Sequence, residues 1–114
     1  MSRIKELFDR KSNRVLNVYC TAGYPHLEST LRVMKALQDS GADMIELGMP
    51  YSDPLADGPV IQHSSSVAIG NGMTIAKLFE QLKGFRKSPS FGGVGEVLSV
   101  VLMGYMNPIL QYGF

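Results

Sequence analysis

The chain predicts an α/β fold built on parallel strands, and three observations carry that prediction. Short apolar, β-branched runs alternate with segments of helical periodicity, the pattern of strands joined by right-handed helical crossovers. Each run ends in similar punctuation: Gly23-Tyr24-Pro25 after the first, Gly48-Met49-Pro50 after the second, Gly104-Tyr105-Met106-Asn107-Pro108 after the third. Residues able to do chemistry, Glu46, Asp53, Asp57 and Asn107, lie at or after those ends, where parallel α/β sheets gather their functional groups.

The elements follow in order. Ile4, Leu7 and Phe8 are helically spaced, so residues 2–10 read as a short amphipathic helix. Val15–Cys20 is an apolar, β-branched run and reads as the first strand. A helix is expected over about 26–40, with Leu27, Leu31, Met34 and either Leu37 or Val33 inward and Gly41 at its C-terminal cap. Asp43–Gly48 is the second strand, and Val60–Ile69 a second crossover helix closed by Gly70-Asn71-Gly72. Thr74 is a good N-cap for a third, whose stripe Ile75, Leu78, Phe79, Leu82 and Phe85 is the clearest in the chain. Arg86 and Lys87 then fall at its C-terminal end, where the helix dipole favours cations. Ser88–Gly95 reads as a Gly/Ser loop and Val97–Met103 as the third strand.

The bulk numbers exclude several function classes. The chain has 114 residues, 45% of them hydrophobic, with 11 basic and 10 acidic side chains. That near-balance leaves no electrostatic footprint for nucleic acid. No apolar run approaches the ~18 residues of a membrane span, and the charged start MSRIKELFDRK lacks the apolar core of a signal peptide. The single cysteine, Cys20, cannot form an internal disulfide, which favours a reducing, cytoplasmic setting. Three strands leave unpaired edges and uncovered faces, so residues 1–114 are expected to be part of one larger domain.

The richest segment is Met44–Ile61, MIELGMPYSDPLADGPVI. Met44, Glu46 and Gly48 share one strand face, and Ile45, Leu47 and Met49 the other. A carboxylate in such a strand is costly to bury unless it is paired, hydrogen-bonded or used. A glutamate in a short strand most often faces solvent, but parallel strands are covered on both faces, so on pattern alone a functional and a surface role for Glu46 weigh equally. Asp57-Gly58-Pro59 and Asp53-Pro54 taken alone are ordinary turns. Tyr19 and Leu102 taken alone are core residues. His26 and His63 have no second ligand at metal spacing and read as structural or surface residues, so no metal site is expected. Cys20 has no general-base partner nearby in sequence and reads as a small buried residue. Gly92-Gly93-Val94-Gly95 precedes a strand instead of joining a strand to a helix, a poor fit to a phosphate loop.

The unbroken stretch Glu46-Leu47-Gly48-Met49-Pro50-Tyr51-Ser52-Asp53-Pro54-Leu55-Ala56-Asp57-Gly58-Pro59-Val60-Ile61-Gln62 resembles the signature of the tryptophan synthase α-subunit family. Thr21–Pro25 is similar to the end of that family's first barrel strand, and Leu102–Ile109 to the end of its third. The resemblance covers nearly the whole chain. It implies a (β/α)8 barrel, typically about 250 residues, of which this chain would hold the first three strands and their helices. It also implies cleavage of indole-3-glycerol phosphate to indole and glyceraldehyde 3-phosphate, a lyase step in tryptophan biosynthesis. By motif, Glu46 and Asp57 resemble the catalytic pair, and Tyr19 and Leu102 resemble residues lining the indole pocket. Pro50, Asp53, Pro54 and Asn107 resemble the surface that meets the β subunit in an αβ heterotetramer. No cofactor is implied for this chain, because pyridoxal phosphate belongs to the β subunit.

Ser64-Ser65-Ser66 departs modestly from the residues expected after Gln62, and Ser88–Glu96 is long for its place. The phosphate site of such barrels comes from loops after strands seven and eight, and a further catalytic tyrosine of the family also lies past the third strand. The fragment alone is therefore expected to be inactive. Two other readings stay open: a different phosphate-binding barrel enzyme, such as an indole-glycerol-phosphate synthase or an isomerase, and a non-catalytic module that uses the Pro50–Gly58 loop only to engage a β subunit.

Overall fold

The computed structural model describes residues 2–51, 58–87 and 98–104. Its centre is a three-stranded sheet in the order β1-β2-β3, comprising β1 (Asn17–Thr21), β2 (Met44–Gly48) and β3 (Ser99–Met103). Both pairings are parallel, and the register aligns Tyr19 with Glu46 and Glu46 with Val101. The ladder runs past the strand ends, since Ala22 N–H donates to the Gly48 carbonyl (2.9 Å) and Met49 N–H to the Met103 carbonyl (2.8 Å).

Residues alternate across this sheet as their period of two requires. Ile45, Leu47 and Met49 are buried against the helical layer, where they meet Met34, Ala68 and Leu78. Met44 and Glu46 occupy the other face and are half-buried. Fully burying side chains such as Ile45 and Leu47 stabilises by roughly 1.5–3 kcal/mol each, so a slip by one residue would forfeit both and expose the core face.

Four helices flank the strands: α1 (Arg3–Arg10), α2 (Ser29–Asp39), α3 (Pro59–Gly70) and α4 (Ile75–Leu82). Ser2 and Thr74 cap α1 and α4, their side chains accepting from the N–H groups of Lys5 and Lys77. Pro59 opens α3 at a position where no N–H is needed. At the end of α2, Gly41 N–H donates to the Gln38 carbonyl (3.1 Å) and Ala42 N–H to that of Leu37 (3.0 Å). This closure needs a left-handed residue, and Gly41 supplies it at φ +101°. The same pair of bonds closes α3 through Gly72 and Met73. Among the described residues, no helix is long and apolar enough to cross a membrane.

The structure departs from the expected elements in three places. The helix expected over 26–40 begins only at Ser29, because His26 and Ser29 close a turn in which Ser29 N–H donates to the His26 carbonyl and His26 N–H to Ser29 Oγ. The stripe from Ile75 to Phe85 is not one helix. It stops at Leu82, the chain turns through Gly84 at φ +75°, and Phe85 is buried from a 3-10 turn, Phe85–Lys87. Arg86 therefore does not sit at the end of α4; its guanidinium stacks over the Phe85 ring (4.9 Å) and donates to the Leu98 carbonyl (2.6 Å). In α1 only Leu7 of the expected stripe is buried, while Ile4 and Phe8 are exposed. The expected Ser88–Gly95 loop and its glycines lie outside the described residues.

Two local constraints hold the sheet in place. At its foot, Asp43 Oδ2 accepts from Leu16 N–H (2.8 Å) and from Lys11 Nζ (2.9 Å), while Asp43 N–H donates to the Leu16 carbonyl (2.9 Å). The Leu16 N–H, and then Lys11, hold the Asp43 carboxyl below the usual carboxylate range. At its top, Gly48 is the seat of Tyr19: a Cβ there would lie 2.0 Å from the Tyr19 hydroxyl oxygen and 2.6 Å from its Cζ.

Both constraints are testable by denaturation. A carboxyl whose folded pKa is depressed stabilises the fold above its unfolded pKa of about 3.9, and that contribution fades as pH falls through the folded value. Asp43→Asn should therefore lower the urea midpoint at about pH 7, with the gap to the parent narrowing at about pH 3; an equal gap at both would contradict the anchor. Gly48→Ala should cost about 1–3 kcal/mol by overpacking. In a Tyr19→Leu background, the same alanine should cost less than half as much, and strict additivity would show that the two residues do not share the space.

Candidate active site

Glu46 occupies the middle of β2, with Tyr19 beside it on β1 and Val101 on β3, all on the face turned away from the helical core. Among the described residues its one hydrogen-bond partner is Asn17, whose Nδ2 donates to Glu46 Oε1 at 2.5 Å. Asn17 stands in register with Met44, two positions toward the foot of the sheet. Because neighbouring parallel strands put register partners on one face, Asn17, Tyr19, Thr21, Glu46 and Gly48 form a continuous surface.

Tyr19 is held by what lies around its hydroxyl. The ring lies over Gly48, and Thr21 Oγ1 donates to the phenol at 3.1 Å. Thr21 Oγ1 is also 2.7 Å from Ser64 Oγ, and Ser64 lies 3.1 Å from the Ile61 carbonyl within α3. Thr21 and Ser64 are buried, so this chain of hydroxyls ties the end of β1 to the first turns of α3. A second tie runs from the other end of the helix, where Asn71 Nδ2 donates to the carbonyls of Gly23 (3.0 Å) and Pro25 (2.8 Å). Helix α3 is thereby fixed against the strand that carries Tyr19.

Beside Tyr19 lies a cavity of about 350 Å³, walled also by Tyr24, Pro25, Val33, Val60 and Ile61. Its lining is mostly apolar, with hydroxyls from Tyr19, Thr21 and Ser64 at one side. Cys20 also lines this cavity, and burial pushes its thiol up to about 11. It therefore stays protonated near neutral pH and is a poor nucleophile; it is half-buried, where the sequence led to a buried small residue.

The other expected site residues divide into two groups. Leu102 does not join the surface that carries Glu46. It is in register with Leu47, hence on the opposite face, and the β3 residue that shares the face of Gly48 is Met103. Pro50 is half-buried just beyond β2. Asp53, Pro54, Asp57 and Asn107 lie outside the described residues. His26 and His63 are both exposed, and His63 meets the Tyr24 ring edge-on at 6.5 Å. No group of three or more metal-ligating side chains occurs among the described residues.

Sequence reasoning missed Asn17, Thr21 and Ser64. The pattern did hold a signal for Ser64: with Ala68 four residues on, it makes a small-residue stripe, and both are buried where α3 lies close to the end of the sheet. Nothing in the sequence marked Asn17, since its significance comes only from the register that sets it diagonally across from Glu46.

Comparison with known proteins places this geometry. The family model described as tryptophan synthase alpha chain matches residues 6–114. The tryptophan synthase alpha chain of Phocaeicola vulgatus is 50% identical over 114 residues, covering 100% of this chain and 42% of that protein. That of Christiangramia forsetii is 50% identical over 113 residues, covering 99% and 41%. Among solved structures, tryptophan synthase subunit alpha from Legionella pneumophila superposes with a TM-score of 0.87 at 39% identity, over 99% of this chain and 42% of that one. An aminoacrylate-bound tryptophan synthase from M. tuberculosis gives 0.77 at 33%, over 99% and 44%. The chain thus spans about 42% of the length of relatives such as the Phocaeicola protein. Its three parallel strands and their helices correspond to the first units of a (β/α)8 barrel. On sequence, fold and extent of match together, the chain belongs to the tryptophan synthase alpha chain family.

Proposed function

We propose that the complete protein is a cytoplasmic lyase that cleaves indole-3-glycerol phosphate to indole and glyceraldehyde 3-phosphate, with Glu46 as its proton shuttle. The observation that carries this reading is the position of Glu46. It is a half-buried carboxyl on a rigid strand, on one surface with Tyr19, and its Oε2 has no hydrogen bond from the described residues. Such a group is fixed by its backbone yet open to a ligand on one side.

The reaction needs one proton delivered and one removed. Protonation of indole C3 puts the positive charge on the ring nitrogen. The bond from C3 to the glycerol carbon then breaks, its electrons return to the ring, and the glycerol hydroxyl loses its proton as the aldehyde forms. A single carboxyl can serve both steps: Glu46 gives its proton to C3 and, now ionised, takes the hydroxyl proton. Asp57, assigned from the motif, would accept the indole N–H and stabilise the charge on nitrogen. Tyr19 would supply an aromatic wall for the indole, supported by its seat over Gly48 and its place on the cavity; Leu102 remains a pocket residue by motif only.

The reading assigns this chain no cofactor or metal. A β subunit carrying pyridoxal phosphate is the partner that the family membership suggests, with Pro50, Asp53, Pro54 and Asn107 on the surface that would meet it.

In the complete protein, Glu46→Gln should lower kcat for indole release by a factor of about 100 or more. The variant should still bind indole-3-glycerol phosphate within about threefold of the parent's Kd, because a neutral amide keeps the shape of the side chain. Indole release at the parental rate would remove Glu46 from the chemistry.

A further inference from the structure

We propose that Asn17 is the positioning residue for Glu46, holding the carboxyl in place through both halves of its proton cycle. The inference rests on the reading of Glu46 as the proton shuttle. Its starting point is one contact: Asn17 Nδ2 donates to Glu46 Oε1 at 2.5 Å, across the β1–β2 pairing.

Three features make this more than a polar residue at a strand start. Asparagine is disfavoured in strands, yet Asn17 is the first residue of β1, on the same face as Glu46 and two register positions below it. Among the described residues, Asn17 and Glu46 are each other's only side-chain partners. The contact engages Oε1 alone, so Oε2 is left for a ligand.

The chemistry of the amide suits the task. A carboxyl that delivers its proton from Oε2 and takes one back there keeps Oε1 as a hydrogen-bond acceptor in both states. A lysine or arginine cation beside it would favour the ionised form and oppose the return of the proton. An asparagine amide is a donor without charge. Nδ2–H therefore donates to Oε1 whether or not Oε2 carries the proton. Asn17 neither gains nor loses a proton in the cycle. It restricts the rotamers of Glu46, and a displacement of about 1 Å from reacting geometry is enough to cost a hundredfold in rate.

The test is steady-state indole release by the complete protein carrying Asn17→Leu, Asn17→Ala or Asn17→Gln, with Glu46→Gln measured alongside. Leucine keeps the volume but neither polar group, alanine adds no apolar bulk at this exposed position, and glutamine keeps both polar groups. The expected result is a fall in kcat of about tenfold or more for leucine and alanine, with KM within about threefold. Glutamine should recover kcat to within about threefold. Parental kcat in the leucine and alanine variants, with turnover lost in Glu46→Gln, would overturn the role of Asn17 and leave that of Glu46 standing. A raised KM at unchanged kcat would likewise overturn it, by making Asn17 a binding group. Normal turnover in Glu46→Gln would overturn both assignments.

Discussion

The register of β2 between its two parallel neighbours is the constraint on which the rest depends. It is set at the foot by the Asp43–Leu16 exchange and confirmed at the top by Ala22 and Met49, which donate to the ends of β2 and β3. Once it is fixed, side-chain parity follows without further choice. Ile45 and Leu47 enter the helical core, and Glu46 faces the surface that also carries Asn17, Tyr19 and Thr21. Burial of Ile45 and Leu47 reinforces that register, and the group whose position it fixes is a carboxyl. Stability and candidate chemistry thus stand on alternate residues of one five-residue strand.

The same register explains why position 48 is glycine. Tyr19 and Gly48 are near neighbours on one face, and the phenol occupies the space a Cβ would need. With its ring there, the hydroxyl meets Thr21, and Thr21 meets Ser64 on α3. A glycine that the sequence offers as strand-end punctuation acts here as a seat, through which an aromatic side chain is linked to α3.

Much of the architecture was legible in the sequence because it rests on local chemistry. Apolar runs, helical periodicity and end signals located the three strands and four helices found among the described residues. Thr74 and Gly41 marked helix ends that the structure uses. Alternation in Met44–Met49 assigned each residue of β2 to its face. The misses share a different cause, in that they depend on what one segment meets in another. The stripe through Phe85 gave no warning that the helix would break, because a 3-10 turn buries Phe85 as well as another helical turn would. Motif spacing also leaves open the parity of Leu102 against its neighbouring strand, which the register sets as that of Leu47. Asn17 became visible only when β1 was laid beside β2.

The proposed exchange of a proton between Glu46 and indole C3 can be seen directly in a crystal structure of the complete protein, carrying Glu46→Gln to slow turnover, with indole-3-glycerol phosphate bound. The residue-46 side-chain terminus should lie within about 3.5 Å of indole C3 or of the glycerol hydroxyl beside it. A ligand seated in the site with both atoms more than about 6 Å from that terminus, beyond direct proton transfer or relay through a single water, would contradict it.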